Sequence, residues 1–348
     1  MKSIHRKKIA MTLAATIVFG GIISSIDMNT LVSAEKKSSN EVSIQPMLIS
    51  NGLYTKLQNA KVSDKFSCIV IFNSHVGENG YAALEKKIGK INKELIYSKG
   101  MEGFSAKLTK KQIELLNKDS NVSKIKLTSE FLVGKELAIT SKFNENTDGW
   151  IGGFADYPEK DKSIYKLNYS LKPIPKELKN KNSALFLSGV NRSDDLFMFV
   201  KKNLLKSTKL KPNTTYSVTF DFGIATNVSS GLIGVGGAPG ESVYVKAGVT
   251  TQEPKSQINK DGFYLMNIDK GNQAKDGKNS LLLGNLAKLK SDDDRYELKT
   301  FTNKNRPFIV KTNAKGDLWL HIGTDSGYES ETSIYIPHIN VKIREIKL

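Results

Sequence analysis

A serine near the end of the chain stands in GTDSGYES, residues 323–330, a short run that superficially has the form of an active-site serine loop. A nucleophilic serine needs a histidine base within hydrogen-bond reach. Beyond the first residues the histidines are His75, His321 and His338, and none stands in a motif of that kind. The pattern therefore predicts that Ser326 lies in a turn at the end of a strand.

A glycine-rich segment, GLIGVGGAPGES at residues 231–242, has the composition of a phosphate-binding loop. It lacks the Lys-Ser/Thr pair of a P-loop, and Pro239 takes the place of the third glycine in G-x-G-x-x-G. The residues that follow alternate as a strand, where a nucleotide site needs a helix. We expect a tight loop between two strands.

The first residues predict a secretory signal peptide. A basic start at residues 2–8 is followed by an apolar run, and small residues at Val32 and Ala34 precede a cleavage point. We assign residues 1–34 to this signal and residues 35–64, which are polar, to a linker. The alternative is an uncleaved membrane anchor, because the apolar run is long enough to span. The protein is expected to be secreted, and association with the cell wall stays open as an alternative.

The formal charge of +17 is carried almost entirely by lysine. Nucleic-acid recognition favours arginine interleaved with aromatic residues, so nucleic acid is excluded as the expected partner. Dispersed lysine is typical of a solvated surface, or of a protein near an anionic cell-wall polymer. The single cysteine, Cys68, allows no disulfide within the chain and stands in an apolar run typical of a buried thiol.

Residues 65–130 carry the pattern of a small α+β domain. An apolar strand, KFSCIVIF, precedes an amphipathic helix, and two further strands follow around Gly100. Thr109 and Gln112 predict a capping box at the start of a second helix. A last strand, NVSKIKL, completes the order β-α-β-β-α-β, which is a ferredoxin-like split βαβ unit.

Residues 136–348 have a different texture. Short alternating runs recur between turn residues, as in TTYSVTFDFGIA and TSIYIPHINVKI, and helical stripes are scarce. This favours an all-β antiparallel sandwich of the jelly-roll type. Its opening, FNENTDGWIGGFADYP, is similar to the first strand of carbohydrate-binding jelly-roll modules. Candidate ligand-binding residues are Trp150, Tyr157, Asp194, Asp195 and Asp325.

The candidate carboxylates do not follow the spacing of a calcium-binding loop. Jelly rolls hold structural calcium through residues scattered in sequence, so a structural calcium ion is compatible with the chain, but its ligands are unknown. No cofactor is implied. For Trp150, burial in the core is the competing expectation, because large aromatic side chains are usually buried.

The segment YSKGMEGFSAKLTKKQIELLNKDSNVSKIK is similar to the subtilisin propeptide, or peptidase inhibitor, family. The resemblance covers about residues 65–130. It implies a sheet with helices on one face and an open face that packs on a subtilisin-like serine protease. It also implies that the tail after the last strand enters the protease cleft. The open-face and tail residues would be Ile69, Ile71, Phe104, Phe131, Leu132, Val133 and Gly134.

The chain departs from that family because no protease catalytic domain follows, and HGTH-like and GTSMA-like motifs are absent. The expected function is therefore a secreted, non-catalytic inhibitor or folding chaperone of a subtilisin-like protease, acting in trans. The alternative is a cell-surface or glycan-binding protein in which the propeptide-like domain only docks. Hydrolysis by carboxylates of the sandwich stays open as a third reading. Val70 and Phe72 are almost equal candidates for the open face, because both faces of this strand are apolar.

Overall fold

Four antiparallel strands and three helices form the first part of the described chain, which we call the N-terminal unit. Its strands are β1 Lys65–Phe72, β2 Lys93–Tyr97, β3 Gly103–Thr109 and β4 Val122–Leu127, in the order β2-β3-β1-β4. Its helices are α1 Asn51–Gln58, α2 Gly77–Ile88 and α3 Lys110–Leu116. From β1 onward the element order β-α-β-β-α-β is the one predicted. This computed structural model describes residues 48–179, 182–205, 208–288 and 293–348.

The predicted signal peptide and the first part of the predicted linker lie outside the described residues. The later part of that linker is not a linker. Helix α1 places Leu53 and Leu57, both fully buried, on the core of the N-terminal unit. The short stretch before it bridges to β4 at Ile125. The unit therefore begins upstream of the predicted boundary. In the described ranges, no helix has the length and apolar character to cross a bilayer.

The capping box predicted at Thr109 starts α3. The Thr109 hydroxyl accepts the backbone N–H of Gln112 at 3.2 Å, and the Gln112 side chain accepts the N–H of Thr109 at 3.0 Å. These two bonds satisfy donors that the first helical turn leaves free. The capping box therefore fixes Thr109 as the residue at which β3 ends and α3 begins.

The two faces of β1 have different partners. Cys68, Val70 and Phe72 face the helices, where Phe104 of β3 joins them in one buried cluster. Phe104 therefore does not lie on the open face, and its prediction as a protease contact is wrong. Alternation along the strand places Ile69 and Ile71 on the opposite face.

A short helix, α4 Thr128–Phe131, leads into a β-sandwich that extends over residues 137–346. The five-stranded sheet, in order β15-β12-β18-β10-β6, has the strands β6 Ile151–Ala155, β10 Leu196–Asn203, β12 Val243–Thr250, β15 Ser280–Asn285 and β18 Trp319–Ser326. The facing sheet has the strands β5 Leu137–Lys142, β8 Asn168–Pro173, β9 Ser183–Val190, β11 Thr215–Thr226, β16 Glu297–Thr302, β17 Phe308–Lys311, β19 Glu331–Ile336 and β20 His338–Glu345. Between the two sheets lies one continuous apolar core. The predicted antiparallel sandwich is confirmed.

The second sheet has the order β5-β20-β11-β19-β9-β8, with β16 and β17 pairing along the other side of β11. A small third sheet combines β7 Tyr157–Pro158, β13 Ser256–Ile258 and β14 Phe263–Met266. The last two strands belong to the segment between β12 and β15. This segment, residues 251–279, is called the strap below.

The strap lies across the outer face of the five-stranded sheet. Met266 packs on Ala155, Phe197 and Phe199, which point away from the sandwich core. A Cβ atom at Gly248 would come within 2.1 Å of the backbone oxygen of Asn279 at the end of the strap. Glycine at this position therefore lets the strap approach the sheet backbone closely.

The face of the N-terminal sheet that carries Ile69 and Ile71 is covered by the sandwich. One apolar cluster, called the seam below, joins the two parts and consists of the buried residues Ile69, Ile71, Tyr97, Phe131, Ile309 and Ile346. Burial of apolar surface drives such packing without the need for directional bonds. Phe131, predicted for a protease cleft, is 0% exposed and fills the seam.

Backbone hydrogen bonds fix the register of the seam. Ile96 N–H donates to the oxygen of Asn305 at 2.9 Å, and Ile309 N–H donates to the oxygen of Lys99 at 2.8 Å. Val133 N–H donates to the oxygen of Glu345 at 2.9 Å, so the predicted protease-binding tail runs beside β20. Leu132 makes an antiparallel bridge with Ile346, and Gly134 is exposed at the turn into β5.

Gly100 should be indispensable for the seam. Its φ is +79°, and an added Cβ would lie 1.6 Å from the oxygen of Ile309. Gly134 has a similar φ, +69°, but nothing lies within 4 Å of an added Cβ. We expect Gly134→Ala to cost about 1–2 kcal/mol of unfolding free energy from backbone strain. Gly100→Ala should cost at least about 1 kcal/mol more, because it also displaces a hydrogen-bonded strand.

Urea unfolding of the two variants measures this difference. Equal losses of unfolding free energy in Gly100→Ala and Gly134→Ala would contradict the close approach of the two parts at Ile309.

Candidate functional site

Five charged side chains meet on the outer face of the five-stranded sheet. Asp325 comes from β18 and Lys246 from β12, on adjacent strands. Asp156 follows β6, Asp195 precedes β10, and Lys270 comes from the strap. Asp195 and Asp325 were predicted as ligand-binding residues, and the structure brings them together.

The ammonium group of Lys270 lies at the centre of this charged cluster. Its Nζ is 2.9 Å from Oδ2 of Asp325, 2.9 Å from Oδ2 of Asp156 and 3.6 Å from Oδ1 of Asp195. Lys246 Nζ is 2.8 Å from Asp325 Oδ2, and both side chains are fully buried. Lys246 also donates to the strap through the backbone oxygens of Lys270 and Lys275. The cluster therefore ties the strap to the sheet.

Burial and charge act against each other in the cluster. Burial opposes the positive form of Lys270, but Asp325, Asp156 and Asp195 hold its pKa above the ordinary range. Burial opposes the negative form of Asp325, but the two lysines hold its pKa below the ordinary value. Burial, together with a hydrogen bond to Asp325 and its charge, raises the pKa of Asp195 to about 7. With a proton on Asp195, the negative charges of the other two carboxylates match the positive charges of the two ammonium groups.

The same three carboxyl groups are the candidate ligands for a structural calcium ion among the described residues. Oxygen atoms of Asp156, Asp195 and Asp325 lie within 4.8 Å of one another, and carboxylate oxygen suits a hard cation. The ammonium of Lys270 fills the space between them. A metal ion would have to displace that ammonium, so the arrangement suits an internal cation better than calcium.

A buried serine and histidine lie under the strap beside the cluster. Nε2 of His321 is 2.6 Å from Oγ of Ser280, and both residues are 0% exposed. Burial, and then the charge of Lys246, lowers the pKa of His321 to about 3, so this imidazole stays neutral. Because the strap seals the pair from solvent, no substrate reaches it in this structure.

Other predicted site residues lie elsewhere. Trp150 and Tyr157, expected as ligand contacts, are 1% and 3% exposed in the sandwich core, so that expectation is wrong. Asp194 is exposed, and its backbone oxygen accepts a hydrogen bond from the side chain of Gln273. Ser326 is 1% exposed on β18 rather than in a turn, and its hydroxyl donates to the oxygen of Tyr328. The glycine-rich segment at residues 231–242 is a loop between β11 and β12, as predicted.

The outer face of the second sheet is open where β5, β20 and β11 lie side by side. A cavity of about 460 Å³ lies on it, and we call this cavity the trough. Across four neighbouring strands the register aligns one row of polar residues, Thr140, Asn340, Asp221 and Thr302. Strand alternation points all four side chains away from the core. A second row of Ala138, Lys342 and Thr219 lies beside it.

The polar groups of the trough are largely uncommitted. The side chains of Thr140, Asn340 and Asp221 make no hydrogen bond to any residue that the structure describes, whereas the hydroxyl of Thr302 donates to the oxygen of Phe220. An amide, a carboxylate and a hydroxyl in one row offer both donors and acceptors. The row therefore presents free donors and acceptors on an exposed face of the sheet.

Sequence reasoning missed the trough. Each of its polar residues stands at an outward position of an alternating strand, which is also the pattern of an ordinary solvated surface. The missing information was which strands are neighbours and in what register.

Comparisons with known proteins find structural likeness but no related sequence. No family model matches the chain, and no curated protein matches it. The CBM22-1 xylan-binding domain of Paenibacillus barcinonensis Xyn10C is a similar solved structure, with 11% identity, a TM-score of 0.28 and coverage of 60% of this chain and 94% of that one. The CBM22-1–GH10 modules of Clostridium thermocellum xylanase 10B, complexed with xylohexaose, match with 14% identity, a TM-score of 0.27 and coverage of 60% and 28%.

The K1 cleaved adhesin domain of Lys-gingipain from Porphyromonas gingivalis matches with 10% identity, a TM-score of 0.25 and coverage of 61% and 98%. Likenesses of this size carry no argument about what the present chain does. Its sandwich is established by its own strand pairing.

The proton on Asp195 predicts a pH dependence of stability. The unfolded carboxyl has a pKa of about 3.9, and the folded one of about 7. Between these values the folded state holds a proton that the unfolded state has lost, so stability falls as pH rises. In Asp195→Asn this loss is absent. The melting temperature of this variant, relative to that of the parent protein, should rise from pH 4 to pH 7. Above pH 7 the difference between the two should stay constant.

Thermal unfolding monitored by circular dichroism at pH 4, 5.5, 7 and 8 gives the comparison, with Asp194→Asn as the matched control at an exposed neighbour. A constant offset between Asp195→Asn and the parent across this range would show that Asp195 carries no proton in the folded state.

Proposed function

We propose that this chain is a non-catalytic binding protein that takes a glycan in the trough, while the N-terminal unit stays docked on the sandwich. The observation that carries the proposal is the open row of Thr140, Asn340 and Asp221 with uncommitted side chains. This proposed function corresponds to the alternative interpretation of the sequence, a glycan-binding protein, rather than to protease inhibition.

The chemistry of the trough supports a polyhydroxylated ligand. The Asp221 carboxylate accepts hydrogen bonds from hydroxyl groups, and the Asn340 amide both donates and accepts them. The row spans three strand spacings, about 14 Å, so it contacts several groups of an extended ligand at once. A flat array of this kind binds through many modest hydrogen bonds and is suited to recognition rather than to bond cleavage.

The burial of the side chains that could take part in catalysis supports a non-catalytic role. Ser280 and His321 are fully buried, and the charged cluster around Lys270 is closed by the strap. The only carboxylate in the trough row is Asp221, whereas glycoside hydrolysis needs two carboxyl groups that flank the bond. The proposal therefore assigns binding to the sandwich and no reaction.

Inhibition of a subtilisin-like protease is not favoured, because the sheet face that would dock is engaged. Ile69 and Ile71 pack in the seam, and Phe131 is buried there rather than free at the end of a tail. Such inhibition would require the N-terminal unit to leave the sandwich and expose this apolar surface to water. The propeptide-like unit is proposed instead as a permanent partner of the sandwich. With the predicted signal at residues 1–34, the expected location is outside the cell.

Glycan binding is tested with the whole protein against a panel of soluble polysaccharides in affinity electrophoresis, followed by calorimetry on the best ligand. Asn340→Ala should weaken binding about three- to tenfold, the range expected for one lost hydrogen bond. Gln257→Ala, on the exposed hairpin of the strap, is the matched control and should bind as the parent does. Asp221→Asn should also weaken binding, because it removes a charged acceptor.

Two results would count against the proposal. One is the absence of binding to every polysaccharide in the panel. The other is potent inhibition of a subtilisin by the intact protein, which would show that the seam opens readily and that the predicted protease contact is the functional one.

A further inference from the structure

Two lysines stand at the ends of the polar row of the trough. Lys142 is two positions beyond Thr140 on β5, so alternation places it on the same outer face, beside His338 of β20. Lys304 lines the trough two positions beyond Thr302. Both are exposed, and neither forms an ion pair with any residue of the described ranges.

The remaining charges near the trough partly cancel. Lys342 pairs with Glu136 at 3.1 Å, which leaves Asp221 as the carboxylate of the row. Burial, and then the charge of Lys142, lowers the pKa of His338, although Asp221 acts in the opposite direction. Near neutral pH the histidine therefore adds no positive charge. The uncompensated cations are Lys142 and Lys304, one at each end of the row.

Resting on the proposed glycan site, we infer that the ligand is an acidic glycan whose negative groups meet Lys142 and Lys304, while its hydroxyl groups meet Thr140, Asn340 and Asp221. The spacing supports this division. The lysines lie at the two ends of the row, and the carboxylate of Asp221 lies inside it, where an acidic group would be repelled and a hydroxyl is accepted. The ligand therefore presents negative groups toward the two ends of the row and hydroxyl groups toward its centre.

The chemistry distinguishes this ligand from a simple polyanion. A site for bare phosphate favours arginine or clustered lysine, because several charges converge on one group. Here the two cations stand beyond opposite ends of a row of neutral and acidic groups. Sugar hydroxyls are needed to satisfy the centre, so charge alone does not fill the site.

The test compares polygalacturonic acid with its methyl ester, in which an uncharged ester replaces each carboxylate on the same sugar backbone, and uses inorganic polyphosphate as a polyanion without sugar. Binding to the whole protein is measured by calorimetry at low and at physiological salt. The acidic polymer should bind more tightly than the ester, and added salt should reduce the difference. Lys142→Gln and Lys304→Gln should each weaken binding of the acid by up to about fivefold and leave binding of the ester unchanged.

Lys160→Gln, an exposed lysine distant in sequence from the trough, is the matched control and should have no effect. Equal affinity for acid and ester would overturn the acidic class while leaving glycan binding intact. Binding of polyphosphate as tight as that of polygalacturonate, and insensitive to Asn340→Ala, would overturn the inference in favour of general charge attraction. Failure of both glycans in a panel where a neutral polysaccharide binds overturns the acidic class, and failure of the whole panel overturns the proposed function.

Discussion

The apolar contact of Ile69 and Ile71 with Ile309 and Ile346 determines which surfaces of the N-terminal unit are covered. A strand that is apolar on both faces must be covered on both faces, and the helices of the N-terminal unit cover only one. The sandwich covers the other. This closure removes the surface through which a free propeptide-like domain would act, and it places Phe131 and the following residues beside β20. Binding to a partner through that sheet face would therefore require the seam to open.

The sandwich in turn covers one of its own faces. The strap crosses the outer side of the five-stranded sheet and is held there by Lys270 among three carboxyl groups, with Lys246 beneath. Breaking a buried pair of this kind is costly, because the remaining charge loses its partner away from water. Lys99 extends the connection, since it donates to the oxygen of Gly277 in the strap while its own backbone oxygen accepts from Ile309. Seam and strap are thus linked, and the trough on the opposite sheet stays open.

Local features of this fold were predictable from sequence, and distant contacts were not. The capping box at Thr109 and the apolar character of KFSCIVIF on both faces depend on neighbours in the chain, so the element order could be predicted. Which face of that strand the helices cover could not be predicted, and Phe104 was assigned to the wrong one. The helix at residues 51–58 was missed because its apolar residues are few within a polar stretch. The covering of Ile69 by Ile309, and the meeting of Lys270 with Asp156, depend on strand neighbours far away in sequence. Lys246 in a strand gave no sign that it is buried.

Native-state hydrogen exchange tests the closed seam most directly. The backbone N–H groups of Ile96, Val133, Ile309 and Lys347 donate to backbone oxygens on the other side of it, so the hydrogen bonds that protect these four amides belong to the contact between the two parts. A closed seam predicts that these four amides exchange together, with protection close to that of the sandwich core. Exchange at rates near those of an unstructured peptide, while β1 and β18 remain protected, would show that the two parts separate freely and would restore protease inhibition as the leading function.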